Sequence, residues 1–435
     1  HPSDKKIIFS SNHHATRGYD FQLYMINTDG TGLKQITWES EFNAFPMFSP
    51  DGKKLVFSSN RQQGKARETN VFIADWVETD EAENVNPANL KKHISYLASD
   101  ALKGRLTGSK EEKLAAQYIE KEFKKLGLKP YHKSFQQPFT YNVRLNPHDT
   151  ISKGKPNNGS NVIAYLDNKA KRTIVIGAHY DHLGLNEHHH STKMNSEGEI
   201  HNGADDNASG VAGVLELARM YSQNATKENV NFIFALFSGE EDGLIGSKHM
   251  AATLKQYYPN VAAMINMDMI GRLDDKKGLV VGGTGTCPSF PDIIEKNKPA
   301  GFTITQETGG IGPSDHTSFY LKDLPVLFFF TGTHQDYHKP SDDEDKINYT
   351  GVTSIVEYVF RTTNAIGNLD KIEFTKTKIN AEKVVPKYKV SLGIMPDYTD
   401  HGDGLHVDGV TENRPAQQAG IQAGDVITKI GDCTI

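Results

Sequence analysis

The stretch VNFIFALFSGEEDGLIGS, residues 230–247, decides how the central part of the chain folds. Its apolar run ends abruptly at Ser238 and Gly239, and the adjacent Glu240 and Glu241 follow at once. A short apolar run bounded by Gly is typical of a buried strand. Two carboxylates at the end of such a strand repel each other and lose hydration unless a positive charge lies nearby. The stretch therefore predicts a buried strand that brings two acids toward a cation.

Three further runs resemble this strand: RTIVIGAHY at 172–180, VAAMINMDMI at 261–270 and LPVLFFF at 324–330. Segments with helical spacing accompany them, such as 207–223, and a helix over 109–126 is expected to bury Ala115, Tyr118, Ile119, Phe123 and Leu126. Strands that alternate with helices predict an α/β fold. We expect a mixed, mostly parallel central sheet with helices on both faces.

Metal-type side chains follow the predicted strands and lie in the loops between them. The candidates are His179, the pair Asp205 and Asp206, the pair Glu240 and Glu241, Asp268 and His338. In an open α/β sheet, ligands bind beyond the carboxyl ends of the strands, where these residues would meet. No Lys or Arg matches the acids in the sequence, so a divalent cation is the expected partner. Nitrogen and oxygen ligands without thiolate suit catalytic zinc, with cobalt or manganese as other occupants.

Five motifs carry a resemblance to a known family: GAHYDH at 177–182, HNGADDNASG at 201–210, FSGEEDGLIGS at 237–247, NMDMIG at 266–271 and YHKPSD at 337–342. The region from about 90 to 370 resembles the co-catalytic zinc exopeptidases, which include bacterial leucyl-type aminopeptidases, glutamate carboxypeptidase and glutaminyl cyclase. The resemblance implies two zinc ions per chain. It makes Asp205 the carboxylate that bridges them, with His179 and Asp268 on one ion and Glu241 and His338 on the other. Helix capping is the alternative role of the Asp205–Asp206 pair.

The same resemblance implies three residues for catalysis. Glu240, left without a metal, would be the general base for a hydroxide held by both zinc ions. Asp181 lies two residues after His179, on the same side of an extended strand, and would hydrogen-bond its imidazole. Tyr337 would donate to the developing oxyanion, with simple packing as the alternative. Asp315 and His316 would line the pocket or cap the next helix, whereas the tract EHHHS at 187–191 is expected to be a solvated loop.

The function expected from these residues is removal of the N-terminal residue from peptides that have a free N-terminus. A carboxypeptidase of the same family is the first alternative, because Arg272 and Lys339 lie near the motifs and could bind a substrate carboxylate. A glutaminyl cyclase, expected to use a single metal, is the second alternative. An inactive peptide-binding scaffold is the third, and an intact ligand set argues against it.

The ends of the chain differ in character from its centre. KKIIFSSN at 5–12 returns as KKLVFSSN at 53–60, and residues 1–80 resemble partial TolB-like β-propeller repeats, with unrelated hairpins as the alternative. Residues 86–372 would form the zinc peptidase domain. Residues 386–435 resemble part of a PDZ domain, on the sequence RPAQQAGIQAGDVITKIGD at 414–432.

Composition limits the remaining classes. The 435 residues carry a formal net charge of -6 with both signs interspersed, which argues against nucleic acid as a partner. The longest apolar runs are too short to span a bilayer. The flanking segments resemble bacterial cell-envelope proteins, so a periplasmic or secreted location is expected by analogy. The sequence does not indicate an oligomeric state.

Overall fold

The computed structural model covers the whole chain and describes all residues except 3, 14, 16–17, 29, 31–32, 39, 62–63, 66–67, 77–80, 144–153, 258, 275, 300, 378–391, 397–403, 411–414, 423, 432 and 435. The chain forms two compact units, His1–Glu81 and Ala82–Ile435.

The first unit consists of two three-stranded antiparallel sheets. Their strands are β1 Lys6–Ser11, β2 Gln22–Asn27, β3 Lys34–Gln35, β4 Asn43–Phe48, β5 Lys54–Ser59 and β6 Asn70–Asp75. The repeat seen in the sequence is also structural, because β1 and β2 pair antiparallel as do β5 and β6, each 48 residues further on. Leu23, Leu55 and Phe57 form the buried apolar cluster. The TolB-like propeller remains a prediction for this unit.

The second unit contains a nine-stranded mixed sheet in the order β14-β13-β15-β12-β10-β11-β9-β7, with β8 paired to β9. Its strands are β7 Lys129–Pro130, β8 Gln136–Val143, β9 Lys155–Leu166, β10 Thr173–His179, β11 Asn231–Phe237, β12 Val261–Met267, β13 Leu279–Gly282, β14 Ile304–Gln306 and β15 Val326–Phe330. The central strands β11, β10, β12 and β15 are parallel. Strands β9 and β13 run antiparallel to their neighbours β11 and β15. The expected mixed α/β sheet is therefore confirmed, but it is not mostly parallel, because half of its strand pairings are antiparallel.

Helices cover both faces of this sheet. They are α1 Pro87–Leu97, α2 Lys110–Lys125, α3 Gly210–Gln223, α4 Ile245–Tyr257, α5 Phe290–Asn297, α6 His316–Tyr320 and α7 Tyr349–Gly367. Successive residues of a strand point to opposite faces, so Phe232 and Phe234 join one apolar cluster while Ile233 and Phe237 join another. The first cluster holds residues of α1, α2, α3, α5 and α7, and the second holds residues of α4 and α6.

The helix predicted over 109–126 is confirmed as α2. Ser109 caps it, since its Oγ accepts a hydrogen bond from the Glu112 N–H at 2.9 Å. The predicted apolar face packs on the sheet: Ala115, Ile119 and Phe123 are fully buried, and Tyr118 and Leu126 pack against the same cluster.

The C-terminal segment contains short elements: β16 Ile394–Pro396, β17 Leu405–Val410, α8 Pro415–Gln418, β18 Val426–Ile427, β19 Lys429–Ile430 and β20 Cys433–Thr434. Part of the region predicted to be PDZ-like lies outside the described residues, and its identity stays a prediction. Within the described part of the chain, none of the helices has the length and apolar content needed to cross a membrane.

The buried apolar side chains of the parallel strands stabilise the fold that positions the site. Phe234, in the middle of β11, is fully buried, so Phe234→Ala is expected to lower the free energy of unfolding by about 3–5 kcal/mol. Urea unfolding followed by far-UV circular dichroism measures the effect, since both Trp residues, Trp38 and Trp76, lie in the first unit. Leu321→Ala is the control, because Leu321 is 60% exposed and its loss should cost no more than about 0.5 kcal/mol. Equal midpoints for the two variants would contradict this account of the core.

Candidate metal centre

One cluster of ligand-type atoms lies where β10 and β12 end. His179 is the last residue of β10, and Asp268 follows β12 directly. The Nε2 of His179 lies 3.3 Å from Asp268 Oδ1 and 3.2 Å from Asp206 Oδ1. All three residues are buried. These residues offer one nitrogen and two carboxylate oxygens to a single point.

A second cluster shares one residue with the first. His338 Nε2 lies 3.2 Å from Asp206 Oδ2 and 3.1 Å from Glu241 Oε2. Asp206 thus directs Oδ1 toward His179 and Oδ2 toward His338. A carboxylate in this position can bridge two cations.

The donor set fits zinc. Two ligands of a tetrahedral zinc ion, each about 2.0–2.1 Å from it, lie about 3.3 Å from each other. The four histidine–carboxylate distances in the two clusters are 3.1, 3.2, 3.2 and 3.3 Å. Imidazole nitrogen and carboxylate oxygen without thiolate are also the donors of catalytic zinc sites.

The charges of the clusters also favour the binding of a cation. Burial opposes charge on His179 and His338, yet the carboxylates beside them raise the pKa of both imidazoles well above the usual value. Burial also raises the pKa of Asp206, but His182 and His179 outweigh it and hold the pKa of that carboxyl well below its usual range. A divalent ion would replace the protons that the histidines otherwise take up.

The structure corrects the role expected for Asp205. Its Oδ1 accepts hydrogen bonds from the Gly271 N–H at 2.5 Å and Ser209 Oγ at 3.0 Å, and its Oδ2 lies 3.1 Å from His334 Nε2. Asp205 is therefore hydrogen-bonded away from the clusters, and Asp206 occupies the shared position. The backbone explains this, because Asp206 is extended (φ -101°, ψ 94°) inside the irregular turn that precedes α3, so the two neighbours point apart.

Two arginines lie near the clusters without pairing with their acids. Arg272 forms ion pairs with Asp342 at 3.0 Å and Asp336 at 3.4 Å. Arg105 is almost fully buried and donates to the carbonyls of Tyr180 at 2.8 Å and Gly203 at 3.1 Å. Neither guanidinium pairs with the acids of the two clusters, whose ion pairs in the described structure are with histidines.

Glu240 and Glu241 have different contacts in the structure. Gly239 has a left-handed backbone (φ +73°), which turns the chain sharply after β11. Glu241 then points to His338, while Glu240 lines a small pocket with His179, Asp206, Asp268 and other residues. Burial raises the pKa of Glu240 well above its usual value.

Asp181 contacts the site differently from the expectation. Its Oδ1 is 3.8 Å from His179 Nδ1, beyond hydrogen-bonding distance, and the nearer partner of Nδ1 is the Asp181 carbonyl oxygen at 3.2 Å. The carboxylate accepts hydrogen bonds from the Glu240 N–H at 3.2 Å and Thr107 Oγ1 at 2.9 Å. Burial raises the pKa of Asp181 to about 6. Asp181 thus fixes the backbone of Glu240 and, through its carbonyl, the ring of His179.

The remaining predicted residues lie in or beside the same pocket. Tyr337 lines it and stacks on the His338 ring, with centroids 3.9 Å apart. Asp315 is buried and its charge helps to raise the pKa of Glu240, but its side chain makes no capping bond to α6. His316 stacks on Phe328 at 4.4 Å.

Two features of the site were missed in the sequence. His182 lies 2.7 Å from Glu241, and the motif GAHYDH offered it as a second histidine on the same strand end. The tract at 187–191 is not simply solvated: the His190 carbonyl lies 3.1 Å from His338 Nδ1, and His188 Nδ1 lies 2.8 Å from Asp242. An Nδ1–H donated to that carbonyl leaves His338 Nε2 free for the second cluster.

Comparisons with known proteins agree with the geometry. Residues 161–363 match the model of peptidase family M28. The Escherichia coli (strain K12) protein YfbL, which is uncharacterized, is 26% identical over 326 residues, or 66% of this chain and 92% of its own. A probable leucine aminopeptidase of Arthroderma otae is 28% identical over 202 residues, or 43% of this chain and 52% of its own. For the other curated relatives compared, the matched part of this chain spans about half of the relative's length or less.

Solved structures show the same fold. An aminopeptidase from Aneurinibacillus sp. strain AM-1 superposes with a TM-score of 0.52 at 20% identity, over 68% of this chain and 97% of that one. A glutaminyl cyclase from Porphyromonas gingivalis superposes with a TM-score of 0.53 at 18% identity, over 65% of this chain and 99% of that one. The family match and the curated relatives support the class predicted from the motifs, a zinc-dependent aminopeptidase. The particular family they support is peptidase family M28, over the matched residues 161–363.

The shared position of Asp206 is testable by substitution. Asp206→Asn is expected to remove most bound zinc, because one neutral amide replaces the carboxylate that faces both clusters. Asp205→Asn should retain clearly more, since Asp205 contacts neither His179 nor His338 but pairs with His334. Zinc content after dialysis, measured by atomic absorption, decides between the two. Greater zinc loss in Asp205→Asn would restore the original assignment.

Proposed function

We propose that this protein is a two-zinc aminopeptidase that removes the N-terminal residue of peptides. The observation that carries the proposal is the Asp206 carboxylate, whose two oxygens face two separate histidine–carboxylate clusters. His179, Asp206 and Asp268 would hold one ion, and Asp206, Glu241 and His338 the other. When bound, such ions lower the pKa of water to about 7 and polarise the scissile carbonyl.

Glu240 is the residue that moves the proton in this proposal. It lines the pocket beside both clusters, but it is not one of the carboxylates that lie 3.1–3.3 Å from His179 or His338. The hydrogen bond from its N–H to Asp181 fixes its backbone. Burial raises its pKa, which is the direction that a general base working near neutral pH requires. Glu240 takes a proton from water and returns it to the departing amine, while Tyr337 lies at the pocket wall to donate to the oxyanion.

The charge of the pocket favours a free amine over a free carboxylate at the substrate end. Among the described residues that line it, none is Lys or Arg. Arg272, the candidate carboxylate receptor, is already paired with Asp336 and Asp342. A substrate carboxylate would therefore enter a site of acids without a free guanidinium, which argues against carboxypeptidase action.

The pocket walls favour an apolar residue at the cleaved position. Met269, Phe328 and Phe330 form a buried apolar cluster against which Tyr337 packs, and all four line the pocket. Contact with these side chains stabilises a Leu- or Met-like group by burying its apolar surface. A charged side chain would lose hydration there without a partner.

Glutaminyl cyclase remains the second candidate because the Porphyromonas gingivalis cyclase shares the fold. The two histidine–carboxylate clusters favour two metals, whereas a cyclase is expected to use one. A periplasmic or secreted location is also part of this proposal. Its only support is the resemblance of the flanking segments to bacterial cell-envelope proteins.

The discriminating experiment offers the zinc-loaded protein three substrates: Leu-Gly-Gly, its N-acetylated form and Gln-Gly-Gly. Product analysis by mass spectrometry should show free leucine from the first peptide, no cleavage of the blocked peptide and no pyroglutamyl product. Removing the metal with a chelator should abolish leucine release, and added zinc should restore it. Cleavage of the blocked peptide at its C-terminus, or activity in the metal-free protein, would contradict the proposal.

Two variants provide the matched control within this experiment. Glu240→Gln should keep both metals and lose most turnover, by at least about 100-fold, since general-base catalysis contributes about that much or more. Glu241→Gln should lose zinc from one site, because its Oε2 lies in the second cluster. Equal zinc loss in both variants would refute the division of roles.

A further inference from the structure

His182 lies next to the second cluster without belonging to the ligand set proposed above. It is fully buried, three residues after His179. Its Nδ1 lies 2.7 Å from Glu241 Oε1 and 3.9 Å from Asp206 Oδ2. Its ring is also close to that of His338, with centroids 5.8 Å apart.

His182, Asp206 and Glu241 offer ligand atoms within 4.8 Å of one another, so His182 is a candidate metal ligand as well as a candidate partner of Glu241, and the distances distinguish these two roles. The histidines of the two clusters lie 3.1–3.3 Å from their carboxylate partners, which suits two ligands of one ion. The 2.7 Å between His182 Nδ1 and Glu241 Oε1 is shorter, and it is the length of a charge-assisted hydrogen bond. An ionised carboxylate only accepts, so Nδ1 carries the proton and donates it.

We propose that His182 is a positioning residue that holds Glu241 by Oε1 and thereby keeps Oε2 directed at the second metal. The inference rests on the metal centre of the proposed function and adds a residue to it. Glu241 Oε2 is the oxygen that lies 3.1 Å from His338 Nε2. The two carboxylate oxygens thus have different partners.

The surrounding backbone fixes the His182 ring. A Cβ at Gly203 would lie 2.5 Å from His182 Cδ2, so the ring packs directly against the glycine backbone. Gly203 has a left-handed backbone (φ +57°), and its carbonyl accepts a hydrogen bond from Arg105 Nη2 at 3.1 Å. The His182 N–H donates to the Arg105 carbonyl at 3.3 Å. Arg105 and Gly203 therefore hold the imidazole in place, and the imidazole holds Glu241.

Loss of this hydrogen bond should weaken one metal and leave the other. Glu241 Oε2 contacts His338 of the second cluster, whereas His179, Asp206 and Asp268 make no hydrogen bond to His182. Loss of such a supporting bond typically lowers metal affinity about 10- to 100-fold. The selective effect distinguishes positioning from a general loss of structure.

The test measures zinc affinity of full-length variants without substrate, by competition with a chromogenic chelator. His182→Leu fills the space without a donor, and His182→Asn retains an N–H near the position of Nδ1. We expect His182→Leu to bind the weaker zinc about 10- to 100-fold less tightly, with the tighter zinc unchanged. His182→Asn should come within a few-fold of the wild-type protein.

His93→Ala is the control, since His93 is also buried and its Nδ1 makes a hydrogen bond of 2.7 Å to Tyr118, which is not a residue of either cluster. It should leave both zinc affinities unchanged. If His182→Leu does not fold, His182→Ala takes its place in the same comparison.

Three results would overturn the inference. They are unchanged zinc affinities in His182→Leu, equal weakening of both zinc ions, and a loss in His182→Asn as large as in His182→Leu. The last result, with an altered visible spectrum of the cobalt-substituted protein, would make His182 a ligand instead. Zinc affinity does not depend on peptide cleavage, so a protein that binds two zinc ions but cleaves no peptide would refute the proposed function alone.

Discussion

The position of the Asp206 carboxylate is the constraint on which the site depends. One oxygen meets His179 at the end of β10, and the other meets His338 in the segment after β15. The backbone N–H groups of Asp205 and Asp206 both donate to Asp342 Oδ2, at 2.9 and 3.0 Å, and Arg272 pairs with the other oxygen of Asp342. These hydrogen bonds hold the backbone of the turn before α3 in place, and the Asp206 carboxylate therefore faces both clusters.

The balance of charge explains why this arrangement suits divalent metal. Asp342, which accepts hydrogen bonds from the backbone of this turn, has Arg272 as its counter-ion. Asp205 forms an ion pair with His334. In the part of the chain that the structure describes, the acids of the two clusters, Asp206, Glu241 and Asp268, form their ion pairs with imidazoles. Buried carboxylates that repel one another need stronger compensation than histidine supplies, and the two divalent cations of the proposed function would provide it.

Much of the fold and most of the site could be predicted because sheet geometry is regular. Apolar runs that end in ligand-type residues place those residues at one edge when the strands are parallel, as His179, Glu241 and Asp268 show. The choice between Asp205 and Asp206 could not be predicted, since adjacent residues point apart and the backbone of an irregular turn decides which faces the site. His182 and the tract 187–191 were missed for a related reason. Their roles arise from contacts with Glu241 and His338, which are distant in sequence.

The most direct test of the shared carboxylate is a crystal structure of the zinc-loaded protein with anomalous difference maps at the zinc edge. We predict two peaks about 3.5–4 Å apart, the separation of two-metal sites. One peak should lie within about 2.0–2.2 Å of atoms of His179, Asp206 and Asp268, and the other equally close to Asp206, Glu241 and His338. A single peak, or a peak coordinated by Asp205 in place of Asp206, would contradict this account.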